Sequence, residues 1–150
     1  MLTSELIEEE CKGHDYQTIL KSQQVNVFYV GSKQALICQV NADINLKKFK
    51  ETLIQLVPVT QKLKICQLVV DRRNMFTIHF PSLEWFYAIW LPQMIKSGVR
   101  RLHIVLPENE LFRFSLRIGK QRILKEHPQL LHQDLPPNFY KNLKEVFQNI

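Results

Sequence analysis

Ile65-Cys66-Gln67-Leu68-Val69-Val70-Asp71-Arg72-Arg73-Asn74 is the stretch that decides the fold. Its first part, ICQLVV, is short, apolar and uncharged, which predicts a central strand buried on both faces of a sheet. Asp71 ends the run. Asp71-Arg72-Arg73-Asn74 then reads as a polar loop at the strand's carboxyl end, where open α/β sheets place their ligands.

Upstream of this strand, Tyr16–Lys21, Val25–Val30 (VNVFYV) and Ala35–Val40 (ALICQV) read as strands. The last two flank Gly31-Ser32-Lys33, which makes them a hairpin. Asn45 is placed to cap a first helix marked by Leu46, Phe49, Leu53, Leu56 and Val57, and Pro58 ends or kinks it. Downstream, a second helix starts near Pro81 and Ser82 and stops at Gly98. Pro92 lies inside it and predicts a kink near Ala88 to Trp90. A strand follows at 102–106. Leu111, Phe114, Ile118, Ile123 and Leu124 mark a third helix, with Phe114 and Ile118 assigned to its core side. A short strand is expected at 129–132, then a helix opening at Pro136-Pro137-Asn138 with Phe139, Leu143, Val146 and Phe147 on one face.

Antiparallel strands first, then alternating strands and helices, predict one α/β domain over 16–150 with a mixed sheet and about four helices. Residues 1–15, with the acidic run Glu8-Glu9-Glu10, form an N-terminal arm. It is either a short helix anchored by Leu2, Leu6 and Ile7 or a loose segment.

The 150 residues are 45% hydrophobic and 23% charged, as expected of a globular chain and not of a disordered, collagenous or disulfide-built one. Only 4 glycines argue against glycine-rich phosphate loops. The 3 cysteines, Cys11, Cys38 and Cys66, form no C-x-x-C pair, and Cys38 and Cys66 sit in apolar strand-like runs, which suits buried thiols in a reducing cytoplasm. No secretory pattern or membrane-spanning run is read.

Val69-Val70-Asp71-Arg72-Arg73, then Glu84-Trp85 to Leu91-Pro92, then Gly98-Val99-Arg100-Arg101 and Leu102-His103-Ile104-Val105-Leu106-Pro107 resemble the STAS/SpoIIAA-like fold. That is the class of anti-sigma-factor antagonists and sulfate-transporter C-terminal domains. More narrowly, the chain resembles small stand-alone STAS-like proteins of Bacteroidetes. The resemblance implies this mixed-sheet architecture and a regulatory role. Signalling members carry a phosphorylatable Ser or Thr just after the strand-ending Asp. Here Arg72, Arg73 and Asn74 occupy that stretch, and Thr77 and Ser82 lie further along, so the usual kinase-driven switch does not carry over.

Three constellations remain. Asp71 either fixes a loop from which Arg72 or Arg73 binds an anion, with Asn74 beside them, or pairs with one of those arginines. The second helix is apolar around nearly its whole circumference, so Trp85, Phe86, Tyr87, Trp90 and Met94 are interface candidates unless the chain itself covers them. Arg113, Arg117 and Lys120 form one stripe, within a segment carrying +5 of the +6 net charge. The stripe is a solvated helix face or a contact for a polyanion, without base-specific readout. The histidines are scattered, so no metal is expected, and no nucleophile–base pattern or cofactor motif is present. The expected function is a non-catalytic cytoplasmic regulatory or protein-interaction module, self-associating as a dimer through the second helix. The alternative is a carrier of a small apolar or anionic ligand, with Arg72 or Arg73 holding its head.

Overall fold

The computed structural model describes residues 4–132 and 135–150. Six strands form one sheet in the order β1-β2-β3-β4-β5-β6. They are β1 Tyr16–Lys21, β2 Val25–Val30, β3 Ala35–Val40, β4 Gln67–Asp71, β5 Arg101–Val105 and β6 Pro137–Tyr140. β1 to β3 are antiparallel, and β3 to β6 run parallel. This is the α/β mixed sheet expected, broadly the STAS-like arrangement.

The hairpin forms where its turn residues allow. Val30 pairs with Ala35 across a 3-10 turn, Gly31–Lys33, and Gln34 takes the left-handed conformation (φ 51) that brings the chain back. The parallel connections carry helices α2 Leu46–Ile54, α3 Leu56–Lys62, α4 Phe80–Trp85, α5 Leu91–Lys96 and α6 Glu110–Glu126. All of them pack on one face of the sheet. The other face is covered by α1 Ser4–Glu10 and α7 Leu143–Asn149, through Ile7, Cys11, Leu143, Val146 and Phe147. The N-terminal arm is therefore a packed helix. Ile7 anchors it while Leu6 is exposed, and Leu2 lies outside the described residues.

The first helix breaks at Gln55, and Pro58 falls in the opening turn of α3, where its missing N–H costs nothing. The kink expected near Ala88 to Trp90 is a π-helical turn, Phe86–Trp90. There the Leu91 N–H bonds to the carbonyl of Phe86, five residues back. The structure corrects the C-terminal reading. Residues Pro128–His132 form a 3-10 turn that buries Leu130, and the last strand is β6, where a helix was expected. β6 lies at the sheet edge and opens on Pro137, both strand positions where a proline lacking its donor is tolerated.

Helix α6 is also rotated from its expected phase. Phe112, Leu116, Gly119 and Ile123 face the core, while Phe114 and Ile118 are exposed. Gly119 suits this phase: a Cβ there would stand 3.1 Å from the Leu83 side chain, so the missing side chain lets α6 approach α4 closely at this position. Asn109 caps the helix by accepting the Phe112 N–H at 3.1 Å.

Trp90 is fully buried, and its indole N–H donates to the Leu53 carbonyl at 2.7 Å, tying the π turn to α2. Trp90→Ala is expected to cost about 3–5 kcal/mol, from the lost burial, the cavity and the lost hydrogen bond to Leu53. A denaturant titration followed by circular dichroism measures it.

Candidate functional site

Alternation along β4 sends Asp71 and Arg72 to opposite faces of the sheet. Asp71 has no access to water. Its Oδ1 accepts the Arg73 backbone N–H at 3.1 Å and Nε–H at 3.0 Å, and its Oδ2 accepts Nη2–H at 2.7 Å. The outer edge of the same guanidinium donates to Glu10, Nη1 to Oε1 at 2.6 Å and Nη2 to Oε2 at 2.8 Å. Glu10 Oε2 also accepts the Leu143 N–H at 3.0 Å, at the start of α7. Burial opposes the charge on Arg73, but the bonds to Asp71 and Glu10 outweigh it and hold the guanidinium protonated beyond its ordinary range. Arg73 is therefore not an anion ligand. Of the two readings of this loop, the structure selects the ion pair.

Arg72 has the opposite environment. It is buried on the α4 side, and its Nη1–H points at the Met75 Sδ at 3.5 Å. The guanidinium lies 5.2 Å from the centre of the Phe86 ring. Its Nε–H has no partner, and no described carboxylate pairs with it. Burial lowers its pKa, against a smaller opposing effect of Tyr87. Asn74 is elsewhere, on a polar cleft of about 620 Å³ with Asn41, Asp43, Asn45 and Lys48.

Most of the aromatic helix's interface candidates are packed inside the chain. Phe86, Tyr87, Trp90 and Met94 are buried within the chain, and Trp85 is half-buried with its ring edge-on to Phe49, 6.0 Å between centroids. Helices α2, α3 and α6 cover the circumference that the sequence left unassigned. The described residues include no helix long and apolar enough to cross a membrane. Ser82 is buried, its hydroxyl donating to the His79 carbonyl at 2.9 Å, while Thr77 is exposed.

Arg113, Arg117 and Lys120 do form one stripe on α6, and it borders a groove of about 500 Å³. Arg113 Nε–H donates to the Pro107 carbonyl at 3.1 Å, and the Lys120 ammonium lies 5.2 Å from the centre of the Tyr87 ring. Arg117 is exposed.

The structure also shows groupings that sequence reading missed. Phe76, Leu111, Phe114 and Ile118 are 69%, 74%, 55% and 46% exposed and border one shallow depression with Ile78 and Phe80. Glu84, Glu126 and His127, far apart in sequence, bring one oxygen or nitrogen each within 4.8 Å of one another. His127 Nε2 is 3.3 Å from Glu84, and Arg122 holds Glu126 at 3.1 Å. His103 is buried, its Nε2 is 2.7 Å from the Gln67 side-chain Oε1, and burial lowers its pKa, with Arg101 adding to the effect.

Comparison with family models, curated proteins and solved structures finds no match to this chain.

Arg73→Ala is expected to cost about 3–5 kcal/mol, because it strands the buried Asp71 carboxylate. Urea denaturation at neutral pH measures this. The thiols give a second expected outcome. Burial pushes Cys38 up to about 12, and burial with Glu10 nearby pushes Cys11 up to about 11, while Cys66 is only half-buried. A thiol reagent at mildly alkaline pH should label Cys66 alone in the native protein and all three cysteines in denaturant.

Proposed function

We propose that the chain is a non-catalytic cytoplasmic interaction module of STAS-like type that pairs with a second copy of itself through α6. The observation that carries this reading is the contiguous apolar surface of Phe76, Leu111, Phe114 and Ile118, which no described element of the chain covers. Large exposed aromatic and aliphatic residues in one patch are a mark of association surfaces, not of ordinary solvated helix faces. The self-association expected of the aromatic second helix is thus assigned to the third.

Charge distribution favours a second copy over an unrelated partner. The patch runs along α6, with Glu108 and Glu110 at its amino-terminal end and Arg122 and Lys125 at its carboxyl end. Two copies packed antiparallel bring acidic ends against basic ends and oppose the helix dipoles. With Phe114 interleaved against Ile118 of the partner, Arg122 falls opposite Glu110. The Arg122 guanidinium already lies over the Phe80 ring at the patch edge, 4.2 Å from its centre, with its Nε–H on Glu126. The cytoplasmic assignment is supported by three free thiols, two of them buried.

Sedimentation equilibrium tests the pairing up to about 100 μM, which detects an association free energy of roughly −5.5 kcal/mol. A dimer is expected. Phe114→Glu and Leu111→Glu, both at exposed positions, should return it to monomer with unchanged circular dichroism. A wild-type protein monomeric throughout that range overturns self-association.

A further inference from the structure

Helix α6 has a third face, turned away from the exposed patch, and this face together with the edge of the core stripe at Leu116 forms one wall of the groove of about 500 Å³. The rest of its lining is Tyr87 from the π turn, Leu106 just past β5 and Phe139 of β6. The surface is overwhelmingly apolar, with Leu116 and Leu124 contributed by α6 itself. The charged groups on it are Arg113, Arg117 and Lys120, and no described carboxylate lines it. Arg117 has no hydrogen-bond or ion-pair partner among the described residues. Arg113 is oriented by its Nε–H bond to the Pro107 carbonyl. A further positive charge lies behind the inner wall: Arg72 packs on Phe86, the residue before Tyr87, and its Nε–H is unpaired.

We propose that this groove binds a single-chain amphiphile with an anionic head, a carboxylate or a phosphate monoester. The chain lies along Leu106, Leu116, Leu124 and Phe139, and the head is held by Arg113 and Arg117. Each half of the lining excludes a simpler ligand. A polyanion would meet the basic stripe but leave the apolar wall facing charged backbone. A neutral apolar ligand would fill the wall but offer Arg117 no anion. An amphiphilic anion satisfies both, since its head gains fork-shaped hydrogen bonds and its chain leaves water. The volume falls within the span of small-molecule sites, about 300–1,000 Å³. This site is separate from the pairing surface, which occupies the opposite flank of α6.

The test is isothermal titration of the full chain with dodecanoate, monododecyl phosphate, dodecanol and inorganic phosphate, each below its aggregation limit. One equivalent of a charged amphiphile is expected to bind, about tenfold or more tightly than dodecanol, with no binding of inorganic phosphate. The tighter of the two charged amphiphiles identifies the head. The double change Arg113→Ser, Arg117→Ser should reduce the charged ligands to the affinity of dodecanol. Phe139→Asp, at a position 58% exposed in the native chain, should abolish binding without unfolding. Phe114→Glu should leave binding intact whether or not it dissociates a dimer. The proposal is overturned if neither charged amphiphile binds, if dodecanol or inorganic phosphate binds as tightly, or if Phe139→Asp leaves binding unchanged.

Discussion

A carboxylate sealed from water at the end of the central strand constrains the rest of this molecule. Asp71 cannot remain ionised there alone, and the chain supplies its counter-ion two residues later. The turn that brings Arg73 back also aims its free edge at Glu10, 63 residues away. Glu10 in turn takes the first N–H of α7. One network thus joins the central strand, the amino-terminal helix and the carboxyl-terminal helix, and these two helices are what cover the second face of the sheet. A buried pair of this kind adds little net stability over a well-packed apolar substitute, yet is costly to break. Its physical role is to specify which segments close that face.

The same alternation explains the neighbouring arginine. Period two along β4 sends Asp71 and Arg72 to opposite sides, so two adjacent arginines have contrasting fates. Arg73 is neutralised by two carboxylates. Arg72 stands among Met75, Phe86 and Tyr87 with only a sulfur and a ring face for partners. Desolvating a guanidinium without an anion is unfavourable. The fold sustains it because the aromatic helix packs around it, and the result is a fixed positive charge beneath Tyr87.

Much of this architecture was legible because its signals are local. A charge-free run reads as a central strand, a glycine turn between β-branched runs as a hairpin, and Pro92 as a helix irregularity. The failures have a common cause in tertiary context. Helix α6 carries apolar residues at Leu111, Phe112, Phe114, Leu116, Ile118 and Ile123, enough for two stripes. The exposed stripe (Leu111, Phe114, Ile118) and the buried one (Phe112, Leu116, Ile123) hold the same residue types, so side-chain size does not separate them. What suits the buried one is the close approach to Leu83 that Gly119 allows, which spacing alone does not reveal. β6 was obscured by prolines that an edge strand and a strand's first position permit. The Asp71 loop was half legible: pairing with an arginine was one of two readings, but Glu10 could not be seen as the second partner. The groove was visible only as a basic stripe, since its apolar wall comes from the π turn, from the segment after β5 and from β6.

The three faces of α6 bear on how one small domain can carry two binding surfaces. A helix of 17 residues needs only one stripe to anchor it, and Phe112, Leu116, Gly119 and Ile123 provide that. Arg113, Arg117, Lys120 and Leu124 lie on one flank, and Leu111, Phe114, Ile118 and Arg122 on the other. The two flanks share no side chain. The close-packed core stripe lies between them, with Leu116 bordering the groove and Phe112 and Gly119 bordering the patch. The geometry therefore places two separate surfaces on one helix, and any coupling between them would run through its core stripe, where Gly119 packs close to Leu83.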